Sequence, residues 1–265
     1  MLDSWPRIFA VSLHTNACGG RISAARVPSQ RPETSRDIPP LMRWSGCSRA
    51  GRSAVEPVTE EIAPERLVAI VRTGDPEAAV PLAEAIVKGG ISSIEVALTT
   101  PGALEAISVL VSRLENRAVV GAGTVRNASD AESAIAAGAR FLVSPDFNEQ
   151  VLDKARSSRI PYIPGALTPS EVGEILEAGV ELIKIFPAVR LGPGYLRDLL
   201  GPFPQLRALP TGGIDFSNAA DFMQAGAFAL GIGSALTDGM GRSGLAGVTS
   251  RTKRLKRLLA RVDGR

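Results

Sequence analysis

From Leu67 onward the chain repeats one unit eight times: a short β-branched run followed by a stretch with helical punctuation. The runs are LVAIVR (67–72), ISSIEVAL (91–98), AVVGAG (118–123), FLVS (141–144), YIPGA (162–166), LIKIFP (182–187), LRALP (206–210) and AFALGIG (227–233). Such alternation is the pattern of βα units feeding a parallel sheet. Right-handed crossovers repeated this often close most naturally into a ring, so the expected fold is an α/β, (β/α)8 TIM barrel forming a single domain. A doubly wound open sheet would place a glycine-rich phosphate loop after the first strand, and LVAIVRTGDPE offers only Gly74 there. On a barrel, functional groups collect at the C-terminal ends of the strands and in the loops that follow.

Helix signals fall between the runs. Asp75-Pro76-Glu77 predicts a cap and an N1 proline, with Gly89-Gly90 as the stop; Ser129-Asp130 opens a helix closed by Gly138; Thr168-Pro169 opens one closed by Gly179.

The rare residues are segregated. The single histidine (His14), both cysteines (Cys18, Cys47) and both tryptophans (Trp5, Trp44) precede residue 58. A Ser-His-Asp triad, a Cys-His pair, a zinc site and histidine-ligated metals therefore lack their residue types in the barrel. Neither a metal nor an organic cofactor is expected. Two cysteines make a poor disulfide framework, which points to the reducing cytoplasm. Charge is segregated too: residues 1–57 carry 8 Arg against 4 acids, residues 58–250 carry 15 bases against 22 acids, and residues 251–265 carry 7 against 1. An acidic middle argues against a nucleic-acid partner. No apolar run approaches the ~20 residues that span a bilayer, so no membrane partner is expected either.

Residues 1–57 are rich in Arg, Ser and Pro, lack Lys and show no sustained period, so they read as a mostly disordered extension before a barrel spanning 58–265. Their composition has the look of an organellar transit peptide, and IFAVSL is a weak echo of a signal-peptide core. A start codon assigned too far upstream, with translation beginning near Met42 or Val55, is the plainer reading. At the other end, TKRLKRLLARV has leucines at helical spacing with bases between them, expected to cover the barrel rather than lie on a membrane.

Three lysines occur between residues 58 and 250. Lys88 sits in a last helical turn and Lys154 in the polar stretch DKARSSR, both surface contexts. Lys184 instead interrupts the apolar strand LIKIFP. A buried ammonium is costly, so it requires a partner or release of its proton, and a neutral amine attacks carbonyls. A lysine snorkelling from a strand end is the bland alternative. Glu95 is a second anomaly, a carboxylate inside ISSIEVAL, which suits either a proton shuttle for Lys184 or a structural ion pair with it.

Two glycine-rich strand ends, PTGGI with Thr211, Gly212 and Gly213, and GIGSA with Gly233 and Ser234, fall after the seventh and eighth runs, where barrels often hold phosphate. A phosphorylated carbonyl compound is the expected substrate. Thr99, Thr124 and Thr211 supply rim hydroxyls for a carboxylate or keto oxygen, and Arg72 supplies the nearest fixed positive charge.

In this order, VAIVR, GGISSIEVALTTP, VVGAGTV, FLVSPDFN, IPGALTPSE, IKIFPA, GPFPQLRALPTGGI and GIGSAL, the chain resembles the bacterial 2-keto-3-deoxy-6-phosphogluconate (KDPG) aldolases, many of which also act on 4-hydroxy-2-oxoglutarate (KHG). The resemblance covers roughly residues 62–240. It implies a homotrimeric class I aldolase in which Lys184 forms a Schiff base and Glu95 is the general acid/base. It also implies that Thr124 and Thr211 contact the pyruvyl portion, and that Gly212, Gly213, Gly233 and Ser234 hold phosphate. Some members place an arginine four residues after the glutamate, where this chain has Thr99; Arg72 is expected to bind the carboxylate instead. The galactonate epimer, a metal-dependent aldolase, a phosphate-binding isomerase or synthase, and a phosphosugar-binding regulator are the alternatives.

Overall fold

The computed structural model describes Ile62, residues 65–238 and residues 240–262, all within the unit Gly51–Arg265. The extension expected over residues 1–57 lies outside the described residues. The strands are β1 (Leu67–Val71), β2 (Ser93–Ala97), β3 (Val119–Gly123), β4 (Leu142–Val143), β5 (Tyr162–Ile163), β6 (Gly165–Ala166), β7 (Leu182–Ile185), β8 (Arg207–Pro210) and β9 (Leu230–Ile232). The helices are α1 (Ala79–Gly89), α2 (Ala103–Arg113), α3 (Ala128–Ala136), α4 (Glu149–Ser157), α5 (Pro169–Glu177), α6 (Gly192–Leu200), α7 (Ala219–Gln224), α8 (Ser234–Thr237) and α9 (Met240–Val262).

The result is an α/β fold with a curled parallel sheet. Six strands run in the order β5-β4-β3-β2-β1-β9, and three in the order β6-β7-β8. YIPGA, expected as one strand, is two. Pro164 has no N–H to donate, so the ladder breaks there and the chain crosses from one sheet to the other. Its carbonyl still accepts from the Lys184 N–H at 2.9 Å. At the far side an isolated parallel bridge pairs Thr211 with Gly231.

Parity along the strands sorts the core into two clusters. Alternate residues Val68, Phe141, Val143, Ile163, Leu182, Leu209 and Ala229 form a cluster of their own on the concave face of the sheet. The opposite set, including Ala69, Val71, Ile94, Val96, Ile183 and Ala208, packs against the helices in the larger cluster. Gly121 makes room within the concave cluster, since a Cβ there would sit 2.5 Å from the Phe141 ring.

The helix ends follow their local chemistry, with two corrections. Asp75 caps a turn by accepting from Glu77 N–H at 2.9 Å, but α1 starts at Ala79 without a side-chain cap. The third helix is capped two residues earlier than Ser129: Asn127 accepts from Asp130 N–H and α3 begins at Ala128. Thr168 and Glu171 form a reciprocal capping box with Pro169 in the first turn of α5. Hydrogen bonds from the Thr168 and Leu167 N–H groups and the Thr168 hydroxyl hold the exposed Glu171 carboxyl below its ordinary value of 4.5. A depressed carboxylate stabilises the fold above its unfolded value and loses that contribution as pH falls through its folded one. Thr168→Ala is therefore expected to cost about 1 kcal/mol at pH 7, or about 2–4 °C in Tm. The smaller deficit of Glu171→Gln should vanish as thermal melts are carried below pH 4.5.

α9 lies along α1. Val248, Leu255 and Leu259 are buried, Thr249 Oγ1 donates to Ala85 O at 2.8 Å, and Lys256 Nζ donates to Gly90 O. No helix among the described residues is long and apolar enough to cross a membrane.

Candidate active site

Glu95 lies on β2 and Lys184 on β7, strands that are not neighbours in either sheet. Both side chains point to the concave face and meet there. Lys184 Nζ stands 3.7 Å from Glu95 Oε1, and the residues are only 4% and 1% exposed. Glu95 Oε1 has no hydrogen-bond partner among the described residues. Withdrawing both charges from water costs several kcal/mol per ion, which an unshared 3.7 Å contact offsets poorly. The contact is longer than a hydrogen bond, so the pair contributes little to holding the fold together.

Its surroundings are built to admit it. Glycine at position 123 is required because a Cβ there would overlap Glu95 Oε1. Gly231 does the same for Thr211, whose buried hydroxyl donates to Leu209 O at 3.1 Å. Phe186, two residues after Lys184 and 37% exposed, holds its ring 5.4 Å from Lys184 Nζ. The aromatic face adds a weak attraction for the charged amine and screens one side of it from water.

The rim residues divide into those brought together and those left apart. Arg72 is exposed after β1, and its Nη2 donates to Thr124 Oγ1 at 3.2 Å. Thr124 follows β3 with φ +61°, a conformation that β-branched residues rarely adopt and that costs about 1–3 kcal/mol. Thr99 is exposed and its hydroxyl makes no hydrogen bond among the described residues. Its neighbour Thr100 is the buried one, accepting from Thr73 N–H at 3.3 Å and tying the β1 loop to the β2 loop. Gly212 and Gly213 follow β8 with φ +93° and +77°, a turn in which side chains would meet Phe186 and Val189. Gly233 and the exposed Ser234 follow β9.

Two features escaped sequence reasoning. Phe186 was legible only as a strand-end aromatic, because nothing local shows that its ring turns back over Lys184. Ser93 Oγ is buried without a hydrogen bond two residues before Glu95, and the sole signal was a hydroxyl at inward parity in ISSIEVAL. Beside Phe186 a cavity of about 280 Å³ opens at the strand ends, lined among others by Asp146, Gly165, Leu167 and Glu171. Its carboxylates disfavour a phosphate on that side. Tyr162, whose hydroxyl donates to Asp146 O, has its phenol pushed up by burial and stays neutral.

A profile of KDPG and KHG aldolases matches residues 58–244. The 2-dehydro-3-deoxy-phosphogluconate aldolase of Treponema pallidum is 38% identical over 159 residues, covering 60% of this chain and 75% of that one. The 2-dehydro-3-deoxy-6-phosphogalactonate aldolase of Escherichia coli is 30% identical over 171 residues, covering 64% and 83%. A crystal structure of the KDPG aldolase from Legionella pneumophila, with pyruvate captured as a covalent carbinolamine, superposes with a TM-score of 0.69 at 32% identity, covering 74% of this chain and 96% of that one. The match over most of the described residues, with a buried lysine and glutamate in contact, makes this chain a member of the KDPG and KHG aldolase family.

Proposed function

We infer that this chain is a class I aldolase that cleaves 2-dehydro-3-deoxy-6-phosphogluconate to pyruvate and glyceraldehyde 3-phosphate, with 4-hydroxy-2-oxoglutarate as a second substrate. The observation that carries this reading is the buried contact of Lys184 with Glu95. The phosphogalactonate epimer stays the second choice, because the relative acting on it is 30% identical against 38% for the gluconate one.

The residues act in sequence. Lys184 passes a proton to Glu95, and its free amine attacks the C2 ketone while Glu95 protonates the oxygen. Glu95 then takes a proton from nitrogen and returns it to the departing hydroxyl, giving water and an iminium. As carboxylate, Glu95 removes the C4 hydroxyl proton. The C3–C4 bond breaks, its electrons enter the enamine and the aldehyde leaves. Glu95 protonates C3, and water hydrolyses the iminium to pyruvate and free Lys184.

Arg72 binds the substrate carboxylate with Thr124, which it already touches; Thr211 and Thr99 contact the keto-acid portion. Phosphate binds at Gly212, Gly213, Gly233 and Ser234, a reading supported by the Thr211–Gly231 bridge that sets the two strand ends side by side. The two sheets close into an eight-stranded barrel, supported by the chain crossing at Pro164 and the Thr211–Gly231 bridge. Residues 58–265 form this barrel with its C-terminal helix, preceded by the extension 1–57. The assembly is a homotrimer.

The test is borohydride reduction with pyruvate followed by peptide mass spectrometry, paired with a coupled assay on both epimers. The expected result is reductive alkylation at Lys184 and faster turnover of the gluconate. An unmodified Lys184 would overturn the mechanism. Arg72→Ala is expected to weaken the apparent affinity for pyruvate about 10–100-fold, the worth of a charge-assisted hydrogen bond. An unchanged affinity in the trapping titration would move the carboxylate elsewhere.

A further inference from the structure

Helix α9 carries Arg254, Arg257 and Arg261, all exposed. At helical spacing these three and Leu258 fall within an arc of about 100°, so they share one face. That face lines a groove of about 380 Å³ whose other wall is Phe216, in the turn that leads into α7. The Arg254 guanidinium lies 4.9 Å from the centre of the Phe216 ring, which orients it without using its hydrogen-bonding fork. Among the described residues none of the three arginines is in an ion pair, whereas Arg113, Arg126 and Arg207 each face a carboxylate.

Like charges three or four residues apart repel on a helix, and residues 251–265 hold 7 bases against 1 acid. Such a row is relieved by anions, and guanidinium forks match phosphate oxygens bidentately. Arg254 and Arg261 are about 10.5 Å apart along the axis, longer than one phosphate can span. The groove is concave, its size falls in the range of small-molecule sites, and Phe216 and Leu258 give it an apolar floor. A flat membrane surface would not fill it.

We propose that this groove binds a small molecule carrying two or more phosphate groups, at a site separate from the strand-end glycines. The groove is lined by Phe216 and α9 and by none of the strand-end glycines, so it does not depend on the aldolase reading.

Isothermal titration with sodium tripolyphosphate at 0.15 M salt tests it, comparing the full chain with the triple variant Arg254→Gln, Arg257→Gln, Arg261→Gln. The native protein is expected to show a binding event that the triple variant weakens at least about 10-fold, with kcat and Tm in the absence of tripolyphosphate unchanged. Should the triple variant fold poorly, Arg257→Gln alone is expected to weaken binding about 3-fold or more. Phe216→Leu, which frees Arg254, should weaken it as well. Equal affinity in the native and Arg257→Gln proteins would overturn the proposal. So would binding to phosphatidylserine-containing vesicles without any measurable affinity for tripolyphosphate.

Discussion

Replacing Lys184 by methionine is expected to abolish borohydride trapping of pyruvate and to lower kcat by at least about 10³-fold, because it removes the amine assigned to the iminium. Stability should change as well, and in an informative way. The substitution leaves the Glu95 carboxylate buried, with Oε1 unbonded, which costs about 3–5 kcal/mol if the charge is kept. Adding Glu95→Gln removes that charge. The double variant should therefore melt higher than Lys184→Met alone while staying inactive. Trapping that persists at another lysine would sink the assignment, whatever the melting curves show.

Glu95→Gln is expected to lower kcat by about 10²–10⁴-fold, the usual contribution of a positioned acid/base. The amide keeps the shape of the carboxylate but can neither accept the C4 hydroxyl proton nor donate to C3. Trapping with pyruvate should still occur, only more slowly, since the amine is retained. Gly123→Ala attacks the same group from the backbone: its Cβ would overlap Glu95 Oε1 and push the carboxyl away from Lys184. A loss in kcat with little change in KM is the expected outcome for both substitutions. An unaltered kcat in Glu95→Gln would remove Glu95 from the proton pathway.

The strands were legible because β-branched runs separated by glycine and proline are local signals. All eight runs contain strand, and only YIPGA divides, at the one residue that cannot donate to a ladder. Helix stops at Gly90, Gly138 and Gly179 adopt positive φ, as their positions predicted. Helix starts were read less well. Asp75 and Ser129 look like caps in isolation, yet Asp75 forms a turn of its own and Asn127 offers its side chain to Asp130 first. Competition between adjacent capping residues is decided by backbone geometry, which composition does not carry.

The sequence by itself determined that Lys184 and Glu95 were misplaced charges in apolar strands, because burial of an ion is unfavourable wherever the strand ends up. It also determined that residues 58–265 supply no His, Cys or Trp side chain of their own. Only the tertiary structure decided that the two charges meet, and that Gly123 clears the space Glu95 occupies. It likewise decided that Arg72 reaches Thr124 and that Phe216 receives Arg254. Side-chain direction follows a period of two along each strand, but which distant side chains share a space depends on the curl and stagger of the whole sheet. That is a property of all the strands together, and no single segment encodes it.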